Sequence, residues 1–203
     1  DSSSGNMYID GVTLSHISGG VTLNSSGSNG SVEFGTSAST LKLVTVNAGN
    51  GITVRGDLTV SSATFNADSD GSGVGDFSID ASKTLSTGNN SLALTANDVT
   101  LSGSISSGTG STTIAVSDGG TIGLGGTSGN MTITGTELGN ITAGTLNIGN
   151  SSTGDITVDG ISAANSNNAT TVNLTTASAS SVSFSNNDST FNALTASSGK
   201  GIN

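Results

Sequence analysis

The sequence predicts an all-β chain, and within that class a β-solenoid of stacked short strands, on three observations. Apolar-x-apolar segments recur along all 203 residues, clusters of Gly, Asn and Ser separate them, and parts of the chain return in register. The stretch from Gly5 to Phe34 returns as Gly129 to Val158. Gly5, Met7, Ile9, Gly11, Leu14, Ile17 and Gly20 fall on Gly129, Met131, Ile133, Gly135, Leu138, Ile141 and Gly144, and Val32 and Phe34 fall on Ile156 and Val158. A second match sets Ser39, Thr40, Thr45, Gly49, Gly51 and Ile52 on Ser189, Thr190, Thr195, Gly199, Gly201 and Ile202. Residues 5–53 thus resemble 129–203 at offsets of 124 and then 150, so the later copy holds about 26 extra residues, close to one solenoid coil. Glycines and alternating apolar positions are what survive, and these serve turns and stacked cores.

The strands follow from period-two alternation, which places two apolar side chains on one face and a β-competent residue on the other. They are expected at Met7 to Ile9, Val12 to Leu14, Val21 to Leu23, Val32 to Phe34, Leu41 to Val46, Ile52 to Val54, Leu58 to Val60 and Phe77 to Ile79. Further along come Leu92 to Leu94, Val99 to Leu101, Ile114 to Val116, Ile122 to Leu124, Met131 to Ile133, Leu146 to Ile148, Ile156 to Val158, Val172 to Leu174 and Val182 to Phe184. Asn29-Gly30, Gly71-Ser72-Gly73, Asp118-Gly119-Gly120 and Ser128-Gly129-Asn130 supply turn chemistry between them. No window holds a helical face, so helix content should be close to nil. At two or three strands per coil, coils of about 20 to 27 residues rising about 4.8 Å each make a rod of order 40 to 50 Å. The alternative is a pair of β-sandwich repeats. A sandwich core is usually built on bulky aromatics, whereas this chain has five Phe, one Tyr and no Trp. No composition shift divides residues 1–203, which read as one continuous segment. Ala163 to Thr170, crowded with Asn and Ser, is the best candidate for a weaker joint or for a loop bulging from one coil.

Composition bounds the function classes. Ser, Thr, Asn and Gly make up about three-fifths of the chain, an excess that warns of disorder unless apolar residues are regularly spaced, as they are here. Four basic residues against fourteen acidic ones, a formal charge of −10, exclude the electrostatic footprint of a nucleic-acid binder. No apolar run is long enough to span a membrane, and neither a leader nor an initiating Met opens the chain, which reads as a mature or excised segment. Without Cys there are no disulfides or thiolate metal sites.

Candidate sites are few. His16 is the only histidine, and its counterpart in the repeat is Asn140, so no catalytic residue is assigned and the chain is not expected to be an enzyme. The most metal-like stretch is Asp68-Ser69-Asp70-Gly71-Ser72-Gly73-Val74-Gly75-Asp76, where Asp68, Asp70 and Asp76 are the candidate calcium ligands, because alternate carboxylates with Gly turns can wrap oxygens around the ion. It lacks the closing bidentate Glu, with Ile79 at the twelfth position, so an acidic turn between coils is the competing reading. Asp118, Asp155 and Asp159 join a site only if the coils align them. Arg55-Gly56-Asp57, an integrin-type tripeptide, sits between two strands as an ordinary turn. Asn-x-Ser/Thr sequons from Asn24 to Asn187 follow from composition. Thr132-Ile133-Thr134 has the form used in ranks by ice-binding solenoids, but an array needs such a triplet in every coil.

Ser91 to Leu101 (SLALTANDVTL), Gly119 to Gly126 (GGTIGLGG) and Gly154 to Gly160 (GDITVDG) resemble the repeat regions of large bacterial exoproteins of the filamentous haemagglutinin type. The resemblance implies a right-handed parallel β-helix, secretion to the cell surface, and service as the shaft of an adhesin or another surface fibre. The family's N-terminal secretion domain has no counterpart in these residues. The expectation is therefore an extracellular structural or adhesive segment that self-associates or adjoins further repeats end to end, without cofactor apart from the calcium candidate. The alternative is a carbohydrate-binding or carbohydrate-degrading β-helix that meets host or surface glycans.

Overall fold

A computed structural model describes residues 5–13 and 17–203 of the chain. Leu14, the end of one expected strand, and His16 lie outside the described residues. The chain forms a parallel β-solenoid of about eight turns with almost no helix. Each coil passes through three walls. The first wall stacks Met7–Ile9, Val32–Phe34, Ile52–Val54, Phe77–Ile79 and Val99–Leu101 in that order. The second wall is the longest. It runs from Gly20–Ser25 through Leu43–Ala48, Ser62–Asn66, Leu92–Ala96, Ser111–Val116, Ile141–Ile148 and Ala169–Thr175 to Leu194–Ser197. The third wall holds the short strands Ser39–Thr40, Leu58–Thr59, Thr84–Ser86 and Ser104–Ser106, and then the start of Ile141–Ile148.

Alternation along each strand turns one set of side chains inward, and parallel pairing stacks that set over its equivalents in the next coil. In the second wall Val46, Phe65, Leu94, Ile114, Ile148 and Leu174 form one such column, each at most 1% exposed. In the first wall Ile52, Phe77 and Val99 form another, and in the third Leu58, Leu85, Ile105 and Ile141 do the same. The three buried phenylalanines concentrate in the early coils. The Phe65 ring lies 6.1 Å from that of Phe34 and 5.8 Å from that of Phe77. Polar residues also enter the columns: Ser25 over Ala48, Ser39 over Leu58, and Thr112, fully buried, whose hydroxyl meets Ser107 Oγ at 2.8 Å. That bond removes most of the cost of burying it.

The stack has one irregularity. Ile122–Gly125 is an extra first-wall strand that pairs with both Met131–Ile133 and Ile156–Asp159, so the chain runs past one level, doubles back and then resumes. The reversal needs glycine. Gly125 has φ +92°, and a Cβ built there would strike the Asp159 carbonyl oxygen, while one on Gly123 would strike the returning Thr127 carbonyl. After the reversal the corner between first and third walls is filled by two short helices, Gly135–Gly139 and Ala163–Ser166, packed on one another. The segment read as a candidate joint is thus a helical turn seated on the preceding coil. Residues matched in the repeat hold equivalent places at Met7 and Met131, Val32 and Ile156, and Ile52 and Ile202, all in the first wall. They diverge at Gly11, a positive-φ turn, and Gly135, the first residue of a helix.

Substitution Leu94→Ala should lower stability by about 2–5 kcal/mol, because the column cannot collapse into the space left. Thr100→Ala, on the outer side of the first wall, should change it by less than about 0.5 kcal/mol. Gly125→Ala should cost about 1–3 kcal/mol through its backbone. Urea midpoints of the three variants check this ranking.

Candidate functional site

Six of the twelve aspartates in this chain do one job. Asp10, Asp57, Asp76, Asp98, Asp155 and Asp159 stand at corners, and each carboxylate accepts a backbone N–H from a later coil. The donors are Ser37 (2.7 Å), Thr84 (2.9 Å), Asp98 (3.1 Å), Thr132 (2.8 Å), Ser181 (2.7 Å) and Asn187 (2.9 Å) in turn. Corners are where the ladder stops and backbone donors lose their partners, and a short acceptor side chain restores one. Donors from Ser181 hold the Asp155 carboxyl below the usual carboxylate range, and donors from Asn187 and Asn186 do so for Asp159.

The three candidate calcium ligands separate under this scheme. Asp68 is 3% exposed and its oxygens accept from Ser117 Oγ (2.6 Å), Gly73 N (3.0 Å) and Ser72 N (3.0 Å). Burial alone would raise its pKa, but the Ser117 hydroxyl and the Gly73 and Ser72 amides together bring it below the ordinary value. Asp70 shares the Ser72 N–H at 3.3 Å, so these two meet in one turn. Asp76 instead holds Asn97 Nδ2 at 3.0 Å and Asp98 N on the next coil. Among the described residues no group of three acidic or histidine side chains is placed to hold a metal ion. The turn at 68–73 braces the coils, with Asp68 reaching 49 residues along the chain to Ser117.

The coils bring Asp118, but not Asp155 or Asp159, to this turn. Asp118 sits at φ +56°, and a Cβ on Gly71 would lie 2.6 Å from its Oδ1. A polar cavity of about 540 Å³ lies here, lined by Asn66, Asp68, Ser69, Asp118, Asn150 and Ser152 among others. Arg55 and Asp57 of the tripeptide are exposed but engaged, Arg55 with Glu33 at 2.8 Å and Asp80 at 3.5 Å, and Asp57 with Thr84. Thr134 caps the helix at Gly135–Gly139, accepting the Glu137 N–H, and the Thr132 N–H is held by Asp98. Neither belongs to a lattice of threonines.

Val99–Leu101 and Met131–Ile133 face each other across a seam, since they belong to separate five-stranded sheets. Side chains replace the missing ladder there. Asp98 takes the Thr132 N–H, Glu137 Oε1 takes the Leu101 N–H at 3.1 Å, and Asn140 Nδ2 donates to the Leu101 carbonyl at 2.8 Å. Burial, with the charges of Asp76 and Glu137 adding to it, raises the Asp98 carboxyl above its ordinary pKa. The capping box Thr134-x-x-Glu137 was readable from the sequence as a helix start. The second role of Glu137 was not, because its partner is a backbone amide 36 residues away.

The outer side of the second wall is the longest uncharged face of the stack, the short third-wall strands being uncharged as well. None of its eight strands contains a charged residue. Its central rank runs from Thr22 and Thr45 through Ala93 and Thr113 to Asn173 and Thr195, in register across every coil. Asn47 Nδ2 donates to Asn24 at 2.8 Å and Asn173 Nδ2 to Asn147 at 2.9 Å, so the amides form ladders along the axis.

Asp68 and Asp98 should act on stability with opposite signs. The folded pKa of Asp68 is depressed, so its contribution is present above the unfolded value near 3.8 and lost as pH falls through the lower folded value. That of Asp98 is raised, so its ionised form opposes folding at neutral pH and the penalty is relieved as pH falls through the raised value. Asp68→Ala should therefore cost about 1–3 kcal/mol at pH 7 by stranding buried donors. Asp98→Asn, which keeps an acceptor without the charge, should leave stability equal or higher. Melting temperatures of both variants between pH 3 and pH 7 test the pair.

Compared with protein-family models, curated proteins and solved structures, the chain matches none.

Proposed function

We propose that this chain is a structural and adhesive segment of an extracellular fibre, shaft or layer at a cell surface, of the filamentous haemagglutinin type that its strings resemble. The observation that carries the reading is the form of the stack's last level. Leu194 continues the column of Val172, and Ile202 continues that of Val182, yet they are 36% and 55% exposed. With them lies Phe184, 39% exposed, over Val158. These side chains and the open edge of Leu194–Ser197 form a template on which another coil, or the first coil of a second copy, adds by the same pairing used inside the chain. Its mechanism would be mechanical, with backbone ladders and aliphatic columns resisting extension while a hydrated, net-negative exterior limits nonspecific contact.

A second reading, a carbohydrate-binding β-helix, is favoured by the polar cavity beside Asp68 and Asp118, whose hydroxyl, amide and carboxylate groups suit sugar hydroxyls. Its lining holds no aromatic platform, and it ranks second.

Cryo-electron microscopy of the purified chain tests the first reading. Filaments or sheets with an axial repeat of about 40 Å, from about eight turns at about 4.8 Å, are expected, and Ile202→Asp should abolish them. Discrete monomers at high concentration, together with binding on a glycan panel that Asp118→Ala removes, would replace it with the second.

A further inference from the structure

We infer that the uncharged outer face of the second wall is a self-association surface, on which a second copy of this chain packs side by side about a twofold axis. The inference concerns the flank of the stack rather than its ends, and does not rest on the fibre reading.

Charge selects this face. The chain carries a formal −10, and copies repel one another wherever that charge is displayed. The first wall displays Glu33, and its corners carry Arg55 and Asp80. The eight second-wall strands contain no charged residue. The third-wall strands contain none either, but they are only two or three residues long and two of them follow directly on Asp57 and Lys83. The second wall is thus the broad face where two copies approach closely at least electrostatic cost. Shape and chemistry agree. In-register strands with short side chains and Asn ladders are the surfaces that interdigitate as dry, face-to-face sheets. Leu43, on a marginal rank of this face, is 51% exposed, and a second copy would cover it. The area is also adequate. Eight strands at about 4.8 Å by about five residues at about 3.3 Å give roughly 650 Å² per copy, or about 1,300 Å² in all, inside the range of stable specific interfaces. An isologous pair would bury the face once and stop at two.

The chain has no Cys, which makes the test specific. Ala93 is exposed at the middle of the central rank, where either sense of twofold pairing brings it near its own copy. Ala93→Cys should therefore oxidise to a disulfide-linked dimer, whereas Thr100→Cys on the first wall should not. Sedimentation equilibrium, run in an Ile202→Asp background to suppress end-to-end addition, should give twice the 19.5 kDa chain mass, and Thr113→Glu should return it to one. A monomer in that background, with Ala93→Cys and Thr100→Cys cross-linking alike, would overturn the inference while leaving end-to-end assembly untouched. So would adsorption of the monomer through this face to ice or to microcrystalline cellulose.

Discussion

Parallel, in-register pairing between successive coils is the constraint from which the other features descend. Each coil must place its strands about 4.8 Å above the last, with every inward side chain over its equivalent. The columns through Val46, Phe65, Leu94 and Ile114 satisfy that requirement, and they let a chain with few aromatics exclude water from a narrow interior. Only small aliphatic side chains and an occasional Phe fit. That is why Ser, Thr, Asn and Gly can dominate the composition without disorder: the apolar minority is concentrated in the columns.

Where pairing stops, side chains take over, and this accounts for the acidity. At the corners Asp10, Asp57, Asp76, Asp98, Asp155 and Asp159 accept amides of a later coil, and at the seam Glu137 accepts one from an earlier coil. Half of the fourteen acidic residues thus serve backbone amides at corners and at the seam. The long second wall is left neutral, with Asn47 bonded to Asn24, Asn147 to Thr113 and Asn173 to Asn147 along the axis. One chemical habit, an aspartate at many of the corners, both staples the coils and keeps charge off the long second wall.

The fold was legible because stacking imposes a period. First- and second-wall strands such as Ile52–Val54 and Leu92–Ala96 show two alternating apolar residues and were readable. In the third wall Leu58–Thr59 was readable through the alternation of Leu58 and Val60, but Thr84–Ser86 and Ser104–Ser106 were not, since they turn only Leu85 and Ile105 inward, and one apolar residue has no period. The doubled-back strand at Ile122–Gly125 was readable as a strand but not in its place, because glycine spacing permits a reversal without saying which level it reaches. The site was less legible. Asp68, Asp70 and Asp76 looked like ligands because sequence shows carboxylates and hides the amides they serve, and the neutral face appears only when residues about 20 to 34 apart are brought side by side.

Residue-resolved amide hydrogen exchange tests the stacking account most directly. If in-register pairing carries the structure, the amides of the second wall from Leu43–Ala48 to Ala169–Thr175 form one continuous, most protected block. The Leu101 and Thr132 amides at the seam, held by side chains, should exchange faster than their first-wall equivalents at Val54 and Thr157. Uniformly fast exchange through the second wall, or protection confined to alternate strands, would contradict it.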